Sequence, residues 1–155
     1  PFDDVDKEFL IVPHKWDTSD LRRFMNIMGV VASSIDIVAF IGFYYLLGFN
    51  ANNPVMFQTA WFIEGVISQT LIVHFVRTAK IPFIESTANK YLLISTFLCI
   101  IASMILPILL APIKSFHFTY LPLNFYIFVI FLSLLYIVVE EIVKKMYIKK
   151  YKRWL

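Results

Sequence analysis

Asp36 and Glu64 each stand as the one acidic residue in a long apolar stretch. Asp36 lies thirteen residues after Arg23, and Glu64 lies thirteen residues before Arg77. At about 1.5 Å of rise per helical residue, both fall about 20 Å from a basic boundary. In an antiparallel hairpin of helices they therefore stand level. An ionised acid at mid-bilayer costs about 2.5–3.5 kcal/mol on insertion scales, so such a group normally faces protein or water. Two chemistries suit the pair. Carboxylate oxygens suit a hard cation such as Mg²⁺, which keeps several waters and uses few carboxylates, so Asp36 and Glu64 are candidate ion-path acids. Alternatively, a protonated or hydrogen-bonded pair locks two helices together.

Neighbouring residues extend the pattern. Asn26, Gly29, Ser33 and Asp36 recur at spacings of three and four, as do Trp61, Glu64, Gly65, Ser68 and Gln69. Small and hydroxylated residues permit close helix approach and interhelical hydrogen bonds of about 0.6 kcal/mol each. Gly29, Ser33, Gly65, Ser68 and Gln69 are thus the expected helix-packing positions. Ser95, Cys99, Ala102 and Ser103 form a similar face further on, whereas the last apolar stretch has little polar content except Ser133. That last stretch is expected to face lipid over much of its circumference.

The elements that carry these residues must be membrane helices. The 155 residues are 59% apolar and 16% charged, against roughly 45–50% and about 25% in a soluble domain. Four segments reach the roughly 20 apolar residues that a bilayer requires: 24–49, 55–76, 91–111 and 121–143. Between them lie 50–54, with Asn50, Asn52, Asn53 and Pro54; the polar 77–90; and 112–120, opened by Pro112. The fold class is all-α, a polytopic bundle of four transmembrane helices. A soluble helical bundle would show polar faces, and these segments are apolar nearly all round.

Lys and Arg accumulate on the cytoplasmic side of membrane proteins. Of the 14 basic residues, 13 fall in 1–23, 77–90 and 144–155, and only Lys114 lies in 112–120. Both ends are therefore expected in the cytoplasm, with 50–54 and 112–120 external. Asp17, Thr18, Ser19 and Asp20 offer caps for a helix starting before Leu21. Glu140–Lys144 and Glu141–Lys145 are i,i+4 pairs that would carry the last helix into the cytosol. Lys144, Lys145, Lys149, Lys150, Lys152 and Arg153, interleaved with Tyr147, Tyr151 and Trp154, suit an anionic lipid surface or a solvated basic tail.

Several classes of function find no support. The lone Cys99 builds no disulfide framework. His14, His74 and His117 lie in three separate regions and read as interfacial or solvated residues. No Gly-rich phosphate loop, nucleophile triad or CxxC motif occurs, so neither a nucleotide cradle nor a nucleic-acid partner is expected. Acidic residues, not basic ones, precede the first apolar run, so no signal peptide is expected. The start at Pro1 suggests a fragment or a processed product.

The stretch Phe57-Gln58-Thr59-Ala60-Trp61-Phe62-Ile63-Glu64-Gly65, then Ser68-Gln69-Thr70-Leu71-Ile72-Val73-His74 and Arg77-Thr78-Ala79-Lys80-Ile81-Pro82-Phe83, closely resembles the magnesium-transporting P-type ATPases around their eighth membrane helix. Phe2-Asp3-Asp4-Val5-Asp6, Pro13-His14-Lys15-Trp16-Asp17 and Arg23-Phe24-Met25 are similar to the loop before their seventh helix. Met146-Tyr147-Ile148-Lys149-Lys150-Tyr151 and Trp154 resemble their C-terminus. Around Ser33-Ser34-Ile35-Asp36 the chain departs from the family pattern, which has an aromatic before the acid and a proline after the glycine. The Gly29-to-Asp36 distance matches, and the resemblance implies that Asp36 is the family's acid in helix seven.

The resemblance implies helices seven to ten of a pump that imports Mg²⁺ into a bacterial cytoplasm across the plasma membrane, driven by ATP through a phosphoaspartate. The phosphorylation motif Asp-Lys-Thr-Gly-Thr is not in this chain. The family's principal ion site is attributed to helices four to six, so this region would brace them and contact lipid. Its expected partners are those helices, the pump's cytoplasmic domains and membrane lipid. The chain alone is expected to hydrolyse no ATP. An independent four-helix channel or regulatory subunit, and the product of a degraded pump gene, are the competing readings.

Overall fold

A computed structural model describes residues 18–152 and Trp154. Helix α1 spans Thr18–Ile41 and runs into a π-helical turn, Gly42–Leu46; α2 spans Pro54–Val76, α3 Lys90–Leu110 and α4 Leu123–Tyr151. A short 3-10 turn, Lys114–Phe116, lies between α3 and α4. All four helices are long and apolar enough to cross a membrane, and no strand forms among the described residues.

Local chemistry sets the helix ends. The first helix stops at Gly48, which adopts φ 73°, a left-handed conformation that glycine enters without a Cβ penalty. The amide of Phe49 then bonds back to the Phe43 carbonyl at 2.9 Å. Pro54 opens α2, where its missing N–H is not needed. Asn89 caps α3, its side chain accepting from the Tyr91 amide at 3.0 Å. Pro107 lies in the last turn of α3.

Helix α4 packs against both α1 and α2, whereas α3 packs chiefly on α2. Seven residues of α4 are buried, from Phe125 to Tyr147, against Ser103 and Pro107 alone in α3. Much of α4 is exposed, as expected, with Ile127, Ile130, Phe131, Leu134 and Val138 all facing outward; α2 is the most buried helix and α3 the least. Two apolar clusters form along the bundle. One gathers Ala39, Phe43, Ile63, Ile67, Phe125, Val129 and Leu132. The other, at the end that carries Arg77 and the C-terminal tail, gathers Phe24, Met28, Tyr147 and Trp154.

The helix-packing glycine is a different one. Gly29 and Gly65 have open space where a Cβ would point, and Gly29 and Ser33 are exposed. Ser68 turns to its own helix, donating to the Gly65 carbonyl at 3.2 Å, and Gln69 is exposed. The close approach is made by Gly42, where a Cβ would overlap the ring of Phe128.

Candidate functional site

Asp36 from α1 and Glu64 from α2 line one cavity of about 120 Å³, together with Ala32, Trp61, Gly65, Ser68, Gln69, Ile72 and Tyr136. Antiparallel pairing of α1 and α2 brings the two acids to a common level. Glu64 is 4% exposed, while Asp36 is half-buried at the edge of the bundle. Asn26, Gly29 and Ser33 continue outward from Asp36 as an exposed polar stripe on α1. Among the described residues no three His, Cys, Asp or Glu side chains gather into a metal cage. Two carboxylates beside serine and amide oxygens can complete a hydrated cation's shell, or hold a proton between them.

Helix α4 adds a polar column that the sequence reading missed. Tyr136 lines the cavity, and Glu140 and Lys144 follow it at successive turns of the helix. All three are buried, Glu140 at 2% and Lys144 at 1% exposure. The signal was present in the sequence, since Tyr136, Glu140 and Lys144 recur every four residues. Glu140 and Lys144 were instead assigned to a surface ion pair.

Lys144 is therefore no lipid-surface residue. Its ammonium donates to the Lys80 carbonyl at 2.7 Å and pairs with Glu141 at 2.8 Å, so the i,i+4 partner Glu140 is not its ion-pair partner. It also lies 5.7 Å from the Phe75 ring centroid and 5.9 Å from that of Trp154. The α4 stripe turns Lys144 inward, and the buried ammonium finds a carbonyl, a carboxylate and ring faces in place of water. Glu141 does pair with Lys145, at 3.8 Å. Lys145, Lys149, Lys150 and Lys152 are exposed. Arg153 lies outside the described residues, as do His14 and Asp17.

The aromatic tail is also docked. Trp154 donates its indole N–H to the Val76 carbonyl at 3.1 Å, satisfying a group that the end of α2 would leave open. Phe24, Tyr147 and Trp154 meet edge to face, with centroids 5.0–5.9 Å apart. His74, expected to be interfacial or solvated, is 1% exposed and shares a 2.8 Å hydrogen bond with Thr96 of α3. His117 is exposed. In α3, Ser103 is buried, whereas Ser95, Cys99 and Ala102 are exposed. Arg77 holds the α2–α3 loop by donating to the Ser86 carbonyl and hydroxyl, each at 3.0 Å.

Comparison with known proteins decides the lineage of this arrangement. Residues 2–146 match the family described as "Cation transporting ATPase, C-terminus". The chain belongs to that family. The C-terminal unit is 39% identical, over 99% of its length, to "Magnesium-transporting ATPase, P-type 1" of Salmonella typhimurium. It is 37% identical, over 97% of its length, to the protein of the same name from Escherichia coli. It spans 17% of the length of each of these relatives. The resemblance seen in the Glu64 and His74 motifs therefore extends across the C-terminal unit.

Proposed function

We propose that this chain is the last four-helix membrane section of a Mg²⁺-importing P-type ATPase, with both ends in the cytoplasm of a bacterium. It braces the ion-translocating helices and contacts lipid, while ATP is bound and hydrolysed by parts of the pump outside it. The chain by itself hydrolyses no ATP. The exposed basic residues Lys145, Lys149, Lys150 and Lys152 meet anionic headgroups, in keeping with the placement of basic residues at cytoplasmic boundaries.

The observation that carries this reading is the shared cavity of Asp36 and Glu64 at the foot of an exposed polar stripe on α1. A polar stripe left open to lipid would be unfavourable, and a neighbouring bundle of ion-carrying helices covers it. Asp36 and Glu64 then touch the ion path from its edge. Transport assays of Asp36→Asn and Glu64→Gln in the intact pump test this. Weakened Mg²⁺ uptake in either supports the edge role. Wild-type Mg²⁺ affinity in both removes it and leaves a purely bracing section.

A further inference from the structure

We propose that the groove between α1 and α2 seats one membrane helix of the pump, which places a lysine or arginine against Asp36 and Glu64. Two carboxylates on one cavity call for a positive partner, and this chain supplies none. Positions 24–76 hold no lysine or arginine. Among the described residues the only buried ammonium, that of Lys144, is taken by the Lys80 carbonyl and Glu141. Glu64 is 4% exposed and lines the cavity, yet among the described residues neither acid has a hydrogen-bond donor or a cation as partner. A buried carboxylate in that condition is unfavourable, so the cavity is complete only when another group enters it.

The cavity wall selects the kind of group. Mg²⁺ takes an octahedron of oxygens, whereas Trp61 and Ile72 stand beside the acids here. Trp61 is 39% exposed and meets the exposed Phe40 edge to face at 6.1 Å. Carboxylates with an indole at their side suit an ammonium or guanidinium, which gains from the ring face as well as from the charge. Thirteen residues of helix, about 20 Å, separate each acid from its basic boundary. A side chain reaches that depth only from a membrane helix. The rim is shaped for one: Gly29 has open space at its Cβ position, and Asn26 and Ser33 are exposed beside it. Such a rim permits close approach and hydrogen bonds between helices. The outward side of α4 differs, with Ile130, Phe131, Leu134 and Val138 presenting an apolar surface to lipid. The chain spans 17% of the length of its relatives, which leaves ample polypeptide to supply the helix. This rests on the reading of the chain as one section of a pump, and names what its acids hold there.

Photo-cross-linking of the full-length protein in native membranes is the test. The photoreactive residue p-benzoylphenylalanine replaces Ser33, with Asn26 as a second site should the first variant fail to fold. Mass spectrometry then identifies what is captured. The expected capture is a membrane segment of the same polypeptide that carries a lysine or arginine. Changing that basic residue to methionine shortens the half-life of the folded protein in detergent at least about tenfold, because a buried charge pair has been broken. Adding Asp36→Asn and Glu64→Gln restores it. Capture of lipid alone, of α1 from a second copy, or of a segment without a basic residue overturns the inference. So does a half-life that the added substitutions leave unrestored. Mg²⁺ uptake by wild-type vesicles is read separately. Uptake without the capture keeps the pump reading and rejects the seated helix; capture without uptake does the reverse.

Discussion

The Lys144 ammonium of α4 and the Lys80 carbonyl of the α2–α3 loop meet at 2.7 Å inside the protein, 64 residues apart in sequence. This bond makes the loop part of the bundle. It also fixes the rotation of α4, because an inward Lys144 forces Tyr136 and Glu140 inward on the same stripe.

Removing that ammonium takes a donor from the Lys80 carbonyl and the shorter of two ion pairs from Glu141. Lys144→Ala lowers stability by about 2 kcal/mol, the scale of a hydrogen bond to a charged group. Lys145→Ala, altering an exposed residue with a long 3.8 Å pairing, changes it by less than about 0.5 kcal/mol. Thermal unfolding in detergent, followed by circular dichroism, compares the two. Equal effects would mean that Lys144 is as exposed as its neighbour.

Trp154 should make the tail a docked element, with its exposed lysines turned outward. Trp154→Ala removes an indole that touches Phe24 and Tyr147 and bonds Val76, at a cost of about 3 kcal/mol. Trp154→Phe keeps an aromatic ring and loses the hydrogen bond, costing about 1 kcal/mol. Limited proteolysis reads both, with cleavage after Lys149 or Lys150 fast in Trp154→Ala and slow in Trp154→Phe. Identical, rapid cleavage of wild type and both variants would show a tail that is not docked.

Much of the architecture was legible before the structure. The Asn-Pro and polar interruptions mark the helix ends, and equal spacing from Arg23 and Arg77 puts Asp36 and Glu64 at one level. The rotation of each helix was not legible. In water an inward face is the apolar one, but in lipid the outward face is apolar too, so the contrast vanishes. Ile37, Phe131 and Leu134 are exposed here, while Glu64, Glu140 and Lys144 are buried. Gly29 and Gly65 looked like packing positions because small residues mark contacts, yet only coordinates show which small residue has a neighbour. In this bundle it is Gly42.

Gly42 therefore yields a sharp steric forecast. Gly42→Ala drives a methyl into the Phe128 ring and costs about 1–3 kcal/mol by overpacking. In this four-helix section by itself Gly29→Ala meets open space and lies within a helix, where alanine is favoured over glycine by about 0.8–1.0 kcal/mol, so it is neutral or stabilising. Adding Phe128→Leu to Gly42→Ala recovers part of the loss, and a double-mutant cycle measures the coupling. Additive effects of the two substitutions would show that the residues do not touch.

Cys99 reports on the position of α3. It is the one cysteine of this chain and lies exposed on the peripheral helix, on the groove shared with Gln69, Thr70 and Ser95. A nitroxide attached there, with any cysteines elsewhere in the full-length protein replaced, should collide readily with oxygen, which concentrates in hydrocarbon. Collisions with a water-soluble nickel chelate should be infrequent. Burial at Cys99 in the intact protein would quench both, and would mean that other helices cover the outer face of α3. The side of α4 that packs on α1 and α2 should give the opposite ranking. A label at Ser133, whose hydroxyl bonds to the Val129 carbonyl at 2.8 Å, should collide with oxygen less often than one at Cys99. If Ser133 proved the more accessible of the two, the packing of that side of α4 against α1 and α2 would be wrong.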